Sequence, residues 1–217
     1  MDLTAQRQPD EQPRASRTSR ILALFDFDGT LTDKDTLSEF IKFFCKQINR
    51  KYLKSFLHLP IWLFHKLGVI SNQRARRELI KMYFGGTSTE IMSKIVEDFM
   101  AQRLPQFLNP QALERLQWHK EQGHDVVIVT ATPGMWIRGW AYDQDIRVLA
   151  TELEVHNGFY TGKFATKNCN GAEKVRRIRA SLRLTEYNYI YAYGNSKGDK
   201  QMLDLADESH YKTFVTI

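Results

Sequence analysis

A chain of 217 residues can hold one domain of ordinary size, or a core domain with a modest insertion. Its apolar content of 42% is that of a globular protein, which excludes a wholly disordered or fibrous chain. The formal charge of +6 favours anionic partners, but no nucleic-acid-binding motif accompanies it, so we expect no nucleic-acid partner.

Cys45 and Cys169 lie far apart with no CxxC, and the six histidines lack zinc-site spacing. The cysteines point to a reduced, cytoplasmic chain. Residues 1–20 are polar and carry no secretory signal, and no stretch is apolar enough to span a membrane. Residues 1–19 read as a disordered tail, rich in Gln, Arg, Ser, Thr and Pro.

The first strand is residues 21–25, a short apolar run. Residues 35–108 read as helical. Asp35 or Thr36 caps a helix bearing Leu37, Phe40, Ile41 and Phe44. Residues 52–70 are strongly apolar but interrupted by Lys54, His58, Pro60, His65 and Lys66. Ser71 or Asn72 then opens a basic helix that Gly85 and Gly86 stop. Thr87 and Ser88 start another, with Ile91, Ile95, Phe99 and Met100 on one face.

Asn109 or Pro110 opens a helix carrying Leu113, Leu116 and Trp118, and Gly123 ends it. Residues 125–134 form a second buried strand with Thr130 at its tip, and a further helix is expected at 135–140. Residues 147–155 and 159–164 flank Asn157-Gly158, a strong hairpin signal. A basic helix at 172–181, a third buried strand at 189–195, a short helix at 201–206 and a last strand at 212–217 complete the chain. Strands alternating with helices predict an α/β fold built on a parallel sheet.

The chemistry concentrates after the first strand, in residues 21–32, ILALFDFDGTLT. Asp26 and Asp28 would sit just beyond the strand's carboxyl end, where parallel α/β sheets gather their functional groups. Two acids so close repel, so they need a cation or a shared proton. Hard oxygens on a loop suit Mg²⁺. Gly29 would let the backbone curl closely around a ligand.

The run Asp-Phe-Asp-Gly-Thr-Leu-Thr resembles the first motif of the haloacid dehalogenase-like (HAD) phosphatases. Thr130, Lys174, and Asn195 with Asp199 follow in the order and spacing of the later motifs, so the resemblance covers nearly all of residues 21–215. It implies a Rossmann-like core of residues 20–33 and 110–217, interrupted by an all-helical type-1 cap at 34–109.

The resemblance also implies a Mg²⁺-dependent phosphomonoester hydrolase. Asp26 would form an aspartyl-phosphate, and Asp28 would serve as acid and then base. Thr130 and Lys174 would hold the phosphoryl group, with Gly29 and Ala131 beside it. Mg²⁺ would rest on Asp26, Asp28, Asn195 and Asp199. The chain departs from the family where Asn195 replaces the usual aspartate, so either Asn195 ligates weakly or Asp199 takes over.

Residues 149–155, Asn157-Gly158, 160–162, 169–171 and Glu173-Lys174 resemble the subfamily of phosphoserine phosphatase and the C-type phosphatidylglycerophosphatases. In the first comparison Asp35 and Arg76 (or Arg77) would bind an amino-acid leaving group. In the second, the apolar segment 52–70 and its basic neighbours would meet a lipid-linked phosphate, with peripheral contact at the anionic inner face of a membrane. A non-catalytic or weakly catalytic binding protein on the same scaffold is the alternative of another class. The sequence carries no signal for an oligomeric state.

Overall fold

Alternate residues of the first strand serve opposite faces of one sheet. In β1 (Ile21–Phe25) Ala23 and Phe25 pack into one core, and Leu22 and Leu24 into another. The computed structural model describes residues 20–48 and 72–214. The expected tail at 1–19 and the whole of the apolar segment 52–70 therefore lie outside the described residues.

β1 is central in a five-stranded sheet of order β3-β2-β1-β6-β7, and every pairing in it is parallel. Its partners are β2 (Asp125–Pro133), β3 (Arg147–Thr151), β6 (Tyr189–Gly194) and β7 (Glu208–Tyr211). Helices cover both faces, as a sheet buried on both sides requires. The α/β parallel-sheet reading holds.

After β1 the chain leaves the sheet through α1 (Thr36–Gln47), α2 (Asn72–Phe84) and α3 (Thr89–Gln102), then returns through α4 (Pro110–Glu121). Asp35 caps α1 by accepting from the Ser38 N–H at 3.1 Å, and Asn109 caps α4 from Ala112 at 3.0 Å. An aromatic cluster binds the excursion to the core. Phe40 stacks on Trp136, 4.4 Å between centroids, and meets Phe84 and Phe99 edge-on. Beyond Trp136 runs α5 (Arg138–Asp143), and α6 (Ala172–Ser181) and α7 (Lys200–Leu203) cover the other face.

Three expectations need correction. Residues 147–155 are not one arm of the hairpin. The run splits at Glu152, so that β3 joins the main sheet and only β4 (Leu153–His156) pairs with β5 (Phe159–Phe164). A strand lies at 208–211, where Glu208 to Tyr211 align with Tyr191 to Gly194; of the strand expected at 212–217, residues 212–214 are not strand and 215–217 lie outside the described residues. The buried faces of two helices are rotated from those expected. α3 buries Met92, Ile95, Val96 and Phe99 while Ile91 is exposed, and α4 buries Ala112, Leu116 and His119 while Trp118 reaches solvent.

His119 is fully buried beneath β6. Its Nε2 lies 2.9 Å from the Tyr193 hydroxyl and its Nδ1 2.8 Å from His124 Nδ1. Burial, reinforced by repulsion from His124, Arg115 and His210, pushes His119 down to about 3. A histidine depressed in the folded state takes up a proton on unfolding. Its contribution is therefore full above about pH 6.5 and drains away as the pH falls toward 3. The drop in unfolding free energy from pH 7 to pH 5 should be smaller in His119→Gln than in the parent by about 2 kcal/mol. Urea denaturation at the two pH values checks this, and equal drops would remove His119 from the acid sensitivity.

Candidate active site

The carboxyl ends of β1, β2 and β6 open into a cavity of about 540 Å³. Asp26, Asp28, Thr130, Ala131, Lys174, Asn195 and Asp199 line it, with Asp35 and Arg76 on the side of the helical excursion. The structure thus brings together every sequence-predicted site residue but Gly29. That glycine sits behind Asn195 with φ of 77°, and a Cβ there would meet Asn195 Nδ2 at 1.9 Å. Its lack of a side chain makes room for Asn195 rather than for a ligand. A larger cavity, about 930 Å³, lies at the amino ends of the strands beside Arg20, Asp125 and Glu186, where Arg20 bridges the two acids at 2.7 and 2.9 Å.

Lys174 occupies the centre. Its side chain is 1% exposed, and Nζ lies 2.6 Å from Asp26 Oδ1, 2.6 Å from Asp199 Oδ1 and 2.5 Å from the Val129 carbonyl. The other Asp199 oxygen accepts from the N–H groups of Asn195 (3.2 Å) and Ser196 (2.9 Å) and from the Ser196 hydroxyl (2.7 Å). Asp199 therefore spends both oxygens holding Lys174 and its own loop. Among the described residues Asp26 Oδ2 accepts no hydrogen bond.

Asp28 is held by a different set. Its Oδ1 accepts from the Thr36 N–H at 3.0 Å and from the Thr36 hydroxyl at 2.6 Å. Its Oδ2 accepts from Arg76 Nη2 at 3.1 Å and from the Thr132 hydroxyl. Arg76 also donates to Asp35.

The family model described as haloacid dehalogenase-like hydrolase matches residues 23–204. The chain belongs to the haloacid dehalogenase-like hydrolase family. Protein CicA of Caulobacter vibrioides is 28% identical over 200 residues, covering 89% of this chain and 86% of that protein. A solved protein of unknown function from Bordetella pertussis Tohama I superposes with a TM-score of 0.75 at 24% identity, covering 88% and 89% of the two chains. A substrate-bound phosphoserine phosphatase superposes at 0.64 with 16% identity over 89% and 86%, a likeness of fold.

Within this HAD fold the acids titrate differently. Burial pushes Asp26 up to about 7 against the pull of Lys174, and burial also raises Asp28 despite Arg76. Burial would raise Asp35 and Asp199 as well, but Arg76 and Ser38 hold the first below its usual range and Lys174 and Ser196 the second. Among the described residues no group of three or more His, Cys, Asp and Glu side chains forms a metal cluster. The donors that could hold a cation are Asp26, the Asn195 amide oxygen and the Asp28 carbonyl. All are hard oxygens, in a cavity where four carboxylates face the paired cations Lys174 and Arg76. That set fits Mg²⁺ rather than a soft metal.

Thr36, Thr132 and Ser196 were missed by the sequence reading. Thr132 had a signal, since it lies two residues beyond Thr130 on the same strand. Thr36 and Ser196 had none beyond their capping chemistry.

Removing the Lys174 ammonium leaves two buried carboxylates facing each other. Lys174→Met should lower unfolding stability in chelator at pH 8 by about 3 kcal/mol. Urea denaturation would measure it, and a change under about 1 kcal/mol would deny the lysine that bridging role.

Proposed function

We propose that the chain is a Mg²⁺-dependent phosphomonoester hydrolase working through an aspartyl-phosphate on Asp26. The observation that carries this reading is the Lys174 ammonium held on one Asp26 oxygen while the other stays unengaged at the mouth of β1. Such an oxygen can attack phosphorus in line, and the ammonium offsets charge on the transferring group. The P–O bond to the leaving group breaks as the P–O bond to Asp26 forms. Asp28, raised by burial, gives its proton to the departing alkoxide. Asp28 then takes a proton from the water that attacks phosphorus, which releases inorganic phosphate and restores the Asp26 carboxylate.

Thr130 supports the same reading. Its Oγ1 accepts from the Thr132 N–H at 3.1 Å, which leaves the hydroxyl proton for a phosphoryl oxygen. When bound, Mg²⁺ neutralises negative charge shared between nucleophile and phosphate. Because Asp199 is fully engaged, we assign the side-chain oxygen from the last loop to Asn195.

Residues 34–109 we read as a cap domain over this core, since α1 and α2 bring Thr36, Asp35 and Arg76 to the cavity. The Arg76–Asp35 contact favours a leaving group that carries both charges, as phosphoserine does. A lipid-linked phosphate rests on the composition of residues 52–70 and on the charge of +6. Among the described residues no helix is long and apolar enough to cross a membrane. Phosphate release from phosphoserine, phosphatidylglycerophosphate and sugar phosphates would rank these substrates.

With an aryl phosphate and Mg²⁺, Asp26→Asn should lose ~10³-fold or more of the turnover, and chelator should abolish the parent's activity. Activity surviving in Asp26→Asn would remove the covalent route and favour a binding role for the scaffold. Asn195→Asp should lower the Mg²⁺ concentration for half activity by about tenfold, the worth of one added ligand charge near the surface. An unchanged Mg²⁺ titration would take Asn195 out of the ligand set.

A further inference from the structure

A second cavity of about 580 Å³ adjoins the first. Asn168 and Asn170 line both. The two are also divided between neighbouring residues of α2, with Arg76 on the wall of the first and Arg77 on the wall of the second. Lys163, at the end of β5, and Lys167, in the loop that follows, complete a cationic rim over Phe164.

Arg77, Lys163 and Lys167 are exposed, and among the described residues none of the three side chains has an ion-pair or hydrogen-bond partner. The acid on this wall, Glu173, is already taken. Arg176 binds it at 2.6 and 2.7 Å and Arg177 at 3.0 Å. Three like charges around one concavity repel each other, and among the described residues no free counter-anion stands beside them. A ligand anion would relieve that repulsion.

We propose that this cavity is a subsite for a second anionic group, a phosphate or phosphodiester, on the leaving group of the substrate. The proposal rests on the phosphomonoesterase reading of the first cavity. A single phosphoryl group over Asp26 would occupy only the first cavity. A leaving group that passes Asn168 and Asn170 reaches Arg77, Lys163 and Lys167, and the planar guanidinium suits a phosphate oxygen pair. These three residues would then set specificity without touching the reacting bond.

The test uses three matched substrates at low ionic strength with Mg²⁺: propanediol monophosphate, propanediol bisphosphate, and propanediol monophosphate joined to glycerol through a phosphodiester. We expect kcat/KM for one or both doubly anionic substrates to exceed that of the monophosphate by about tenfold or more, and the ratio to fall as salt is raised. Comparing the bisphosphate with the diester separates a soluble bisphosphate from a lipid-type headgroup. In the triple variant Arg77→Gln, Lys163→Gln, Lys167→Gln the preference should collapse toward unity. A parent without preference, or a variant that keeps it, overturns the subsite. Should no substrate turn over, the phosphatase reading fails on its own. Calorimetric binding of the bisphosphate to the parent and the triple variant then decides the subsite, equal affinities overturning it.

Discussion

One buried ammonium holds the site in shape. Lys174, on α6, reaches Asp26 at the end of β1, Asp199 in the loop after β6 and the Val129 carbonyl on β2. Three strand ends are thus fixed relative to one another by a single side chain. A buried ion pair adds little net stability, because desolvation offsets most of the attraction. Its value here is geometric. Burial alone would lower the lysine, but its two carboxylates keep it raised, so it stays charged. Asp199 acts through it, and through the Asn195 and Ser196 N–H groups, rather than at the cavity's open side.

The second acid depends on the helical excursion instead. Thr36 opens α1 and gives Asp28 two hydrogen bonds, while the Trp136 indole N–H donates to the Thr36 hydroxyl at 3.2 Å. Trp136 stacks on Phe40, which packs on Phe84 and Phe99 from α2 and α3. A displacement of those helices would therefore reach Asp28 through a short chain of contacts, whereas Asp26 is held wholly by the sheet and α6. In the proposed reaction the nucleophile would thus be fixed by the core, and the acid–base carboxylate would be coupled to the helices read as meeting the leaving group.

Much of this was legible because buried parallel strands are written as apolar runs. β1, β2 and β6 announced themselves that way, and the polar residues at their ends marked the cavity. β7 did not. Its sequence, ESHY, is polar, and it pairs with β6 alone at the edge of the sheet, where burial asks less of it. The break between β3 and β4 falls at Glu152, inside an unbroken run of strand-like residues, and only the pairing partners decide it. The rotated faces of α3 and α4 have the same origin. Ile91 and Met92 both fit a helical stripe, and the neighbouring core selects Met92. Asp35 and Arg76 were readable only as a loose pairing, since 41 residues separate them and only the folded helices bring them together.

The substitution at Asn195 makes sense only with the charges around it. In the proposed reaction a dianionic phosphate must approach Asp26 and Asp28, with Asp199 close behind and Lys174 already committed to two carboxylates. An acid at residue 195 would hold a divalent cation more tightly but add to the charge the phosphate must face. The amide keeps one oxygen, its nitrogen being the atom packed against Gly29, and withdraws that charge. In that reaction metal retention would be weakened and anion entry eased, so the cation and the phosphate would depend more on arriving together. A site so arranged favours substrates that bring their own electrostatic attraction to the rim. That is a physical reason for cations without a partner among the described residues to stand at the rim, Lys197 on the first cavity and Arg77, Lys163 and Lys167 on the second.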